Sequence, residues 1–209
     1  MKNFEKLMVY VSKVMISLFI LLVMASCDIF TTRSPENPNT GNTNFLPPTE
    51  PSIVLLNLVT ALEEKNIDNY MNCFHSFTDE SEYNLEFTAS AEATTQFPSI
   101  FINWGVSEER RSFSAILAAV STDRTPELKW INRKPFQETA DSAVFTSDYI
   151  INIPGNDNTI PHEFAGRLQF TMTFRENGLW YISRWVDFNI TVSDSIKNTW
   201  SMLKAYYYN

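Results

Sequence analysis

Asp187, Arg184 and Asp148 are the residues whose types and settings suggest chemistry. Asp187 and Arg184 interrupt an aromatic run from Trp180 to Phe188, and Asp148 interrupts a second run of alternating apolar residues. A carboxylate held in such surroundings has its pKa raised by burial and becomes a general base or acid near neutral pH. The same residues also fit a structural role. The Arg184 stem would lie over apolar neighbours or pair with a carboxylate, and Asp187 would anchor the C-terminal segment by accepting hydrogen bonds near Trp200 and Ser201. Asp187 and Asp148 are therefore the candidate catalytic groups, and Arg184, Trp185 and Trp104 the candidate ligand contacts. With Trp130, Trp180 and Trp200 these indoles would line a pocket for an apolar or sugar-like ligand, or simply pack a core.

The two histidines offer less. His75 has Asp79 and Glu80 just after it, and His162 stands beside Glu163. A histidine base needs a carboxylate within hydrogen-bond reach; a surface or capping role fits His75, and a solvated loop fits His162. Two cysteines, Cys27 and Cys73, and two scattered histidines give no zinc-type spacing. Cys73 reads as a buried small hydrophobe. No strand–Gly-rich loop–helix unit is present, which argues against a nucleotide-binding doubly wound fold, and no cofactor is expected. A net charge of -8 argues against a nucleic-acid partner, which would require a basic footprint.

Cys27 raises a different question. Lys2, Lys6 and Lys13 precede an apolar run, Val14 to Met24, and the small residues Ala25 and Ser26. That order is an export signal, and the run is short for a bilayer crossing, which takes about 20 residues. Met24–Ala25–Ser26–Cys27 resembles a bacterial lipobox, with Met24 in place of the commoner Leu. The resemblance implies cleavage before Cys27 and lipid on its thiol. One acyl chain holds a protein only marginally, at about 0.8 kcal/mol per buried CH2, so stable attachment takes two or more. Asp28 to Pro51 then holds five prolines, Pro35, Pro38, Pro47, Pro48 and Pro51, among many Asn and Thr. It reads as a tether. The expected organisation is a signal over 1–26, lipidated Cys27 and tether over 27–50, and a folded domain over 51–209.

The elements that position the candidates follow from periodicity. With 44 % hydrophobic residues and 16 Phe, the chain can build a real core. Ile53 to Leu62 makes an apolar helix face with Ser52 as its cap. Asn66 and Asp68 open a short unit over Tyr70 to Phe77, and Ser107 caps a helix over Glu108 to Ala119, with Glu108 and Glu109 at its positive end. Tyr83 to Phe87 is a short strand or packed turn. Strands follow over Leu128 to Phe136, Ala143 to Ile153, Phe164 to Arg175 and Leu179 to Ile190. Phe145, Tyr149, Ile151 and Ile153 share one parity, as do Phe164, Leu168, Phe170, Met172 and Phe174. On the last strand the alternation puts Trp180, Ile182, Val186 and Phe188 on one side, with Arg184 among them. Helices first and four antiparallel strands afterwards make an α+β layout.

The string Gly178–Leu179–Trp180–Tyr181–Ile182–Ser183–Arg184–Trp185–Val186–Asp187, followed by Thr199–Trp200–Ser201–Met202–Leu203–Lys204, resembles the NTF2-like superfamily, and most closely its small bacterial lipoproteins of unassigned function. The resemblance covers roughly residues 51 to 205. It implies an NTF2-like (cystatin-like) cone, with N-terminal helices packed on a curved antiparallel sheet. It also implies a homodimer through the outer sheet face, since many relatives pair that way. Some relatives are isomerases or dehydratases with carboxylates or a histidine in the cone; others only bind. Fold does not choose between them. The functional expectation is a membrane-anchored, non-enzymatic lipoprotein of the bacterial cell envelope. Its domain would be extracytoplasmic and would bind a small apolar or polar ligand or a protein, while Cys27 engages membrane lipid. The alternative is a small isomerase or hydrolyase using Asp187 or Asp148.

Overall fold

The computed structural model describes residues 6, 8, 13, 15, 44–74, 85–157, 159–192, 195, 196 and 198–208. The chain divides into two units, Met1–Asn42 and Thr43–Asn209. In the first, Lys6, Met8, Lys13 and Met15 are helical and exposed. Most of the expected signal, Cys27 and residues 28–43 lie outside the described residues, as do His75, Asp79 and Glu80. Among the described residues no helix is long and apolar enough to cross a membrane.

The second unit opens with helix α1 (Pro51–Glu63). Ser52 is not its cap. Pro51 takes the first helical position, where its fixed φ suits the turn and its missing N–H costs nothing, and Glu50 precedes it as the N-cap residue. The segment before α1 belongs to the domain. The buried Asn57 amide accepts from the Leu46 N–H at 3.0 Å and donates to the Leu46 carbonyl at 2.7 Å, and the Trp180 N–H donates to the Pro48 carbonyl. The expected tether is thus bound to the domain over its last residues. Helix α2 (Ile67–Met71) begins at Asn66, whose side chain accepts from the Asn69 N–H. After the short strand β1 (Glu86–Thr88) come α3 (Ala91–Gln96) and α4 (Val106–Ala119). Helix α4 starts before Ser107: Glu108 reaches back to accept from the Gly105 N–H at 3.0 Å.

The strands are β2 (Glu127–Ile131), β3 (Gln137–Glu138), β4 (Ser142–Asn152), β5 (Glu163–Phe174) and β6 (Trp180–Phe188). A small hairpin, β7 (Thr191–Val192) and β8 (Ser195–Ile196), leads to helix α5 (Trp200–Tyr207). The expected strand over Leu128 to Phe136 is broken at Asn132, which adopts a left-handed φ of 50°. The main sheet runs β1-β6-β5-β4-β2, with β3 beside β4. It is mixed rather than purely antiparallel, because β1 lies parallel to β6. Its inner face carries Phe145, Tyr149, Ile151, Phe164, Leu168, Phe170 and Met172, all fully buried against α1, α2, α4 and α5.

Strand β6 departs from simple alternation. Met172 pairs with Ile182 but Thr171 pairs with Arg184, so Ser183 is an extra residue, a β-bulge. The bulge reverses the parity of everything after it. Trp180 and Ile182 face inward as expected; beyond Ser183 it is Trp185 and Asp187 that are buried, while Arg184, Val186 and Phe188 turn outward. The Ser183 hydroxyl binds Thr173 Oγ1 and the Thr171 carbonyl, which holds the bulge in place.

Candidate functional site

The reversal at Ser183 places Asp187 under the N-terminus of α5. Its Oδ1 accepts from the Tyr149 hydroxyl at 2.8 Å, and its Oδ2 accepts from both the N–H and the hydroxyl of Ser201, at 2.7 and 2.5 Å. The Tyr149 oxygen in turn accepts from the Trp200 N–H at 2.6 Å. Thr199 caps the helix, accepting from the Met202 N–H, and meets Ser90 Oγ at 2.8 Å. The arrangement depends on Gly166, which pairs with Tyr149 across the strands; a Cβ there would lie 2.5 Å from the Tyr149 hydroxyl. Burial raises the Asp187 carboxyl pKa, against the hydrogen bonds of Ser201 and Tyr149 and the charge of Lys204. Burial beside Asp187 raises Tyr149 well above the usual phenol range.

A second cluster lies deeper, and its two charged members were not singled out from the sequence. Lys204 of α5 and Glu109 of α4 form an ion pair with Nζ 2.5 Å from Oε2, and only 1 % of either side chain is exposed. Glu109 Oε2 also accepts from Trp104 Nε1 at 2.8 Å, and its Oε1 accepts from the Tyr70 hydroxyl at 2.6 Å. The ammonium is caged by rings: Nζ lies 3.5 Å from the centroid of Trp185, 3.9 Å from Phe87 and 5.4 Å from Trp104. Cation–π attraction and the carboxylate thus replace the water that burial removes. Burial still wins: it pulls Lys204 down to about 8, although Glu109 and Asp187 favour its charged form. Tyr70 is pushed well up by burial and by Glu109.

Asp148 lies on the opposite face of the sheet from Asp187. Arg167 holds it through a fork at 2.6 and 3.3 Å, with Asn132 at 3.0 Å. Partial burial would raise its pKa, but Arg167 and Asn132 outweigh that and lower it. It is an ion-paired surface acid. Arg184 is also on the outside, 3.6 Å from Glu86. Trp104 and Trp185 do come together, around Lys204, and Trp185 meets Trp200 edge-on at 4.7 Å. Trp130 packs on Phe145 and Trp180 on Phe174, away from the cage. His162 Nδ1 lies 3.1 Å from the Ile153 carbonyl, bracing the β4–β5 connection. Cys73 is buried, its Sγ 3.5 Å from the Asn69 carbonyl, and burial pushes its thiol pKa up. Among the described residues no three His, Cys, Asp or Glu side chains gather closely enough to hold a metal ion.

Glu109 reads in sequence as a first-turn acid, an ordinary surface position, and Lys204 carries no reading of its own because the helix over Trp200–Tyr207 is not among the expected elements. One signal was available: Lys204 lies within Trp200–Ser201–Met202–Leu203–Lys204–Ala205, a stretch with no other charge.

No family profile and no curated protein matches the chain in sequence. Solved structures do match in shape. A conserved protein from Planctomyces limnophilus aligns with a TM-score of 0.51 at 11 % identity, over 68 % of this chain and 94 % of that one. A protein from Novosphingobium aromaticivorans, provisionally named an aromatic ring hydroxylase, aligns with a TM-score of 0.50 at 15 % identity, over 73 % and 92 %. An NTF2-like superfamily protein from Salmonella enterica gives a TM-score of 0.48 at 11 % identity, over 67 % and 88 %. The chain shares the fold of the first two, a curved mixed sheet with helices packed against it.

Proposed function

We propose that this NTF2-like domain is a binding module tethered to the bacterial cell envelope, with lipid on Cys27 and the domain outside the cytoplasm. The observation that carries the binding reading is how the buried carboxylates are used. Asp187 accepts three hydrogen bonds and Glu109 three, all from groups of the fold itself. A general base needs a lone pair aimed at the proton it removes. These oxygens are aimed at the N-terminus of α5, two tyrosine hydroxyls, an indole and the Lys204 ammonium, so the protons within their reach belong to the fold's own side chains and not directly to a substrate. The tether reading is supported by the order apolar run, Ala25, Ser26, Cys27. Mass spectrometry of the membrane-extracted native protein tests it. The expected result is an N-terminal peptide beginning at an acylated Cys27, and loss of membrane attachment in Cys27→Ser. An unmodified peptide containing Met1 overturns it.

A small isomerase or hydrolyase is the second reading, favoured by one observation: the raised pKa of buried Asp187. Turnover of a small carbonyl substrate by the purified domain, abolished in Asp187→Asn with the fold intact, would establish it in place of the binding reading.

A further inference from the structure

We propose that Lys204 is a carbonyl-capture site: its ε-amino group condenses reversibly with a small aldehyde or ketone admitted beneath Trp104, while Glu109 moves the protons. The inference deepens the binding reading by naming a ligand class, and rests on it to that extent.

Four features of the cage point to this chemistry. The amine is withdrawn from water and set against the faces of Trp185 and Phe87, apolar walls suited to the carbon chain of a small carbonyl compound. A lysine in such a setting is a better nucleophile at neutral pH than one at the surface. Glu109 touches the very proton that must leave, and is itself fixed by Tyr70 and Trp104. Trp185 carries a buried indole N–H with no acceptor, an unmet donor in the wall nearest the amine. Finally, a buried ion pair is a poor stability device, since apolar residues of similar volume commonly do as well or better. The titratable groups that face Lys204 are Glu109 from α4 and Asp187 from β6, with Tyr70 of α2 behind Glu109.

A small carbonyl compound would enter past Trp104. Its ring rests on Phe101 at 5.1 Å, Phe87 at 5.6 Å and Tyr208 at 5.1 Å, in the connection between α3 and α4. The same connection carries Ile102, which is 72 % exposed. Among the described residues, ring contacts and the hydrogen bond to Glu109 seat this indole near the amine.

The step balances without an oxidant. Glu109 takes a proton from the Lys204 ammonium, and the neutral nitrogen attacks the carbonyl carbon. The carbonyl oxygen takes the proton that the nitrogen sheds on attack and becomes the hydroxyl of a carbinolamine. Glu109 returns its proton to that hydroxyl, which leaves as water. The iminium that remains carries the positive charge Lys204 had, and pairs with Glu109 as before.

The test uses the full-length wild-type protein with propanal as probe, trapped by borohydride, which reduces the imine to a stable secondary amine. Peptide mass spectrometry then locates the adducts. The expected result is labelling of Lys204 roughly tenfold ahead of the exposed Lys129 and Lys134 at pH 8, falling steeply by pH 6 as the amine is protonated. Lys204→Arg removes that adduct and leaves the others. Labelling of surface lysines alone overturns the proposal. So does Lys204 labelling seen only in Trp104→Ala, because Trp104 would then be a seal. Lipid on Cys27 is read from a different peptide, so the tether reading stands or falls separately.

Discussion

Glu109 and Lys204 stand 95 residues apart in the chain and 2.5 Å apart in the fold, as a buried ion pair with an indole and a phenol completing the carboxylate's partners. Removing one member strands the other charge out of water. Lys204→Met and Glu109→Gln are each expected to cost about 3–5 kcal/mol in urea unfolding. The double variant should lie closer to wild type than either single change, because the introduced amide keeps an oxygen to accept from the Trp104 N–H and an NH2 to donate to the Tyr70 oxygen, and no charge is left unpaired. Two single effects that simply add would show that the pair is not coupled.

The pair also sets a pH dependence of defined sign. Lys204 is lowered from 10.5 to about 8 in the folded protein. Between those values the unfolded chain binds more protons than the folded one, so stability rises with pH. Put the other way, this contribution is present above pH 10.5 and lost as pH falls through about 8. The urea midpoint should climb from about pH 8 towards about pH 10 in wild type and stay flatter in Lys204→Met. Above that range the raised pKa values of Tyr70 and Tyr149 act in the opposite direction.

Gly166 and Tyr149 are expected to be coupled. Gly166→Ala drives a Cβ into the Tyr149 hydroxyl and the Phe188 carbonyl, an overpacking typically worth about 1–3 kcal/mol. Tyr149→Phe strands the Asp187 acceptor and the Trp200 N–H, at about 1–3 kcal/mol. Removing the hydroxyl relieves part of the clash with the added methyl group, so the double variant should cost less than the sum. Chemical denaturation of the four proteins measures it.

Asn57 clamps the segment ahead of α1. Asn57→Leu deprives the Leu46 N–H and carbonyl of their partner and should cost about 1–3 kcal/mol. Limited proteolysis gives a sharper reading: cleavage within residues 44–48 should speed up while cleavage elsewhere in the domain is little changed. Equal resistance in both proteins would mean that Pro48 and Trp180 suffice to hold the segment.

Much of the architecture is legible in the sequence, because β4 and β5 each bury one clean parity: Phe145, Tyr149 and Ile151, then Phe164, Leu168 and Phe170. The same rule fails on β6. Alternation assigns Val186 and Phe188 to the core and Trp185 to the surface, and a single bulged residue inverts all three. Nothing in Ile182–Ser183–Arg184 announces a bulge, since its cause is the pair of hydroxyl contacts that Ser183 makes with a neighbouring strand. Asp187 was recognisable as a residue out of keeping with its strand. The cage was not, because an ion pair closed across α4 and α5 leaves no mark at short spacing. Asp148 shows the converse: an acid within an apolar strand that proves to be on the outer face, neutralised by Arg167 from the adjacent strand.

The position of α5 has a consequence for the order in which the domain is made. Residues 1–198 contain Asp187, Tyr149 and Glu109 but neither the helix N-terminus nor the ammonium that these groups hold. Until Trp200, Leu203 and Lys204 have been made, the inner face of the sheet lacks the helix that meets Asp187 and Glu109, so the last step in closing the core waits on α5.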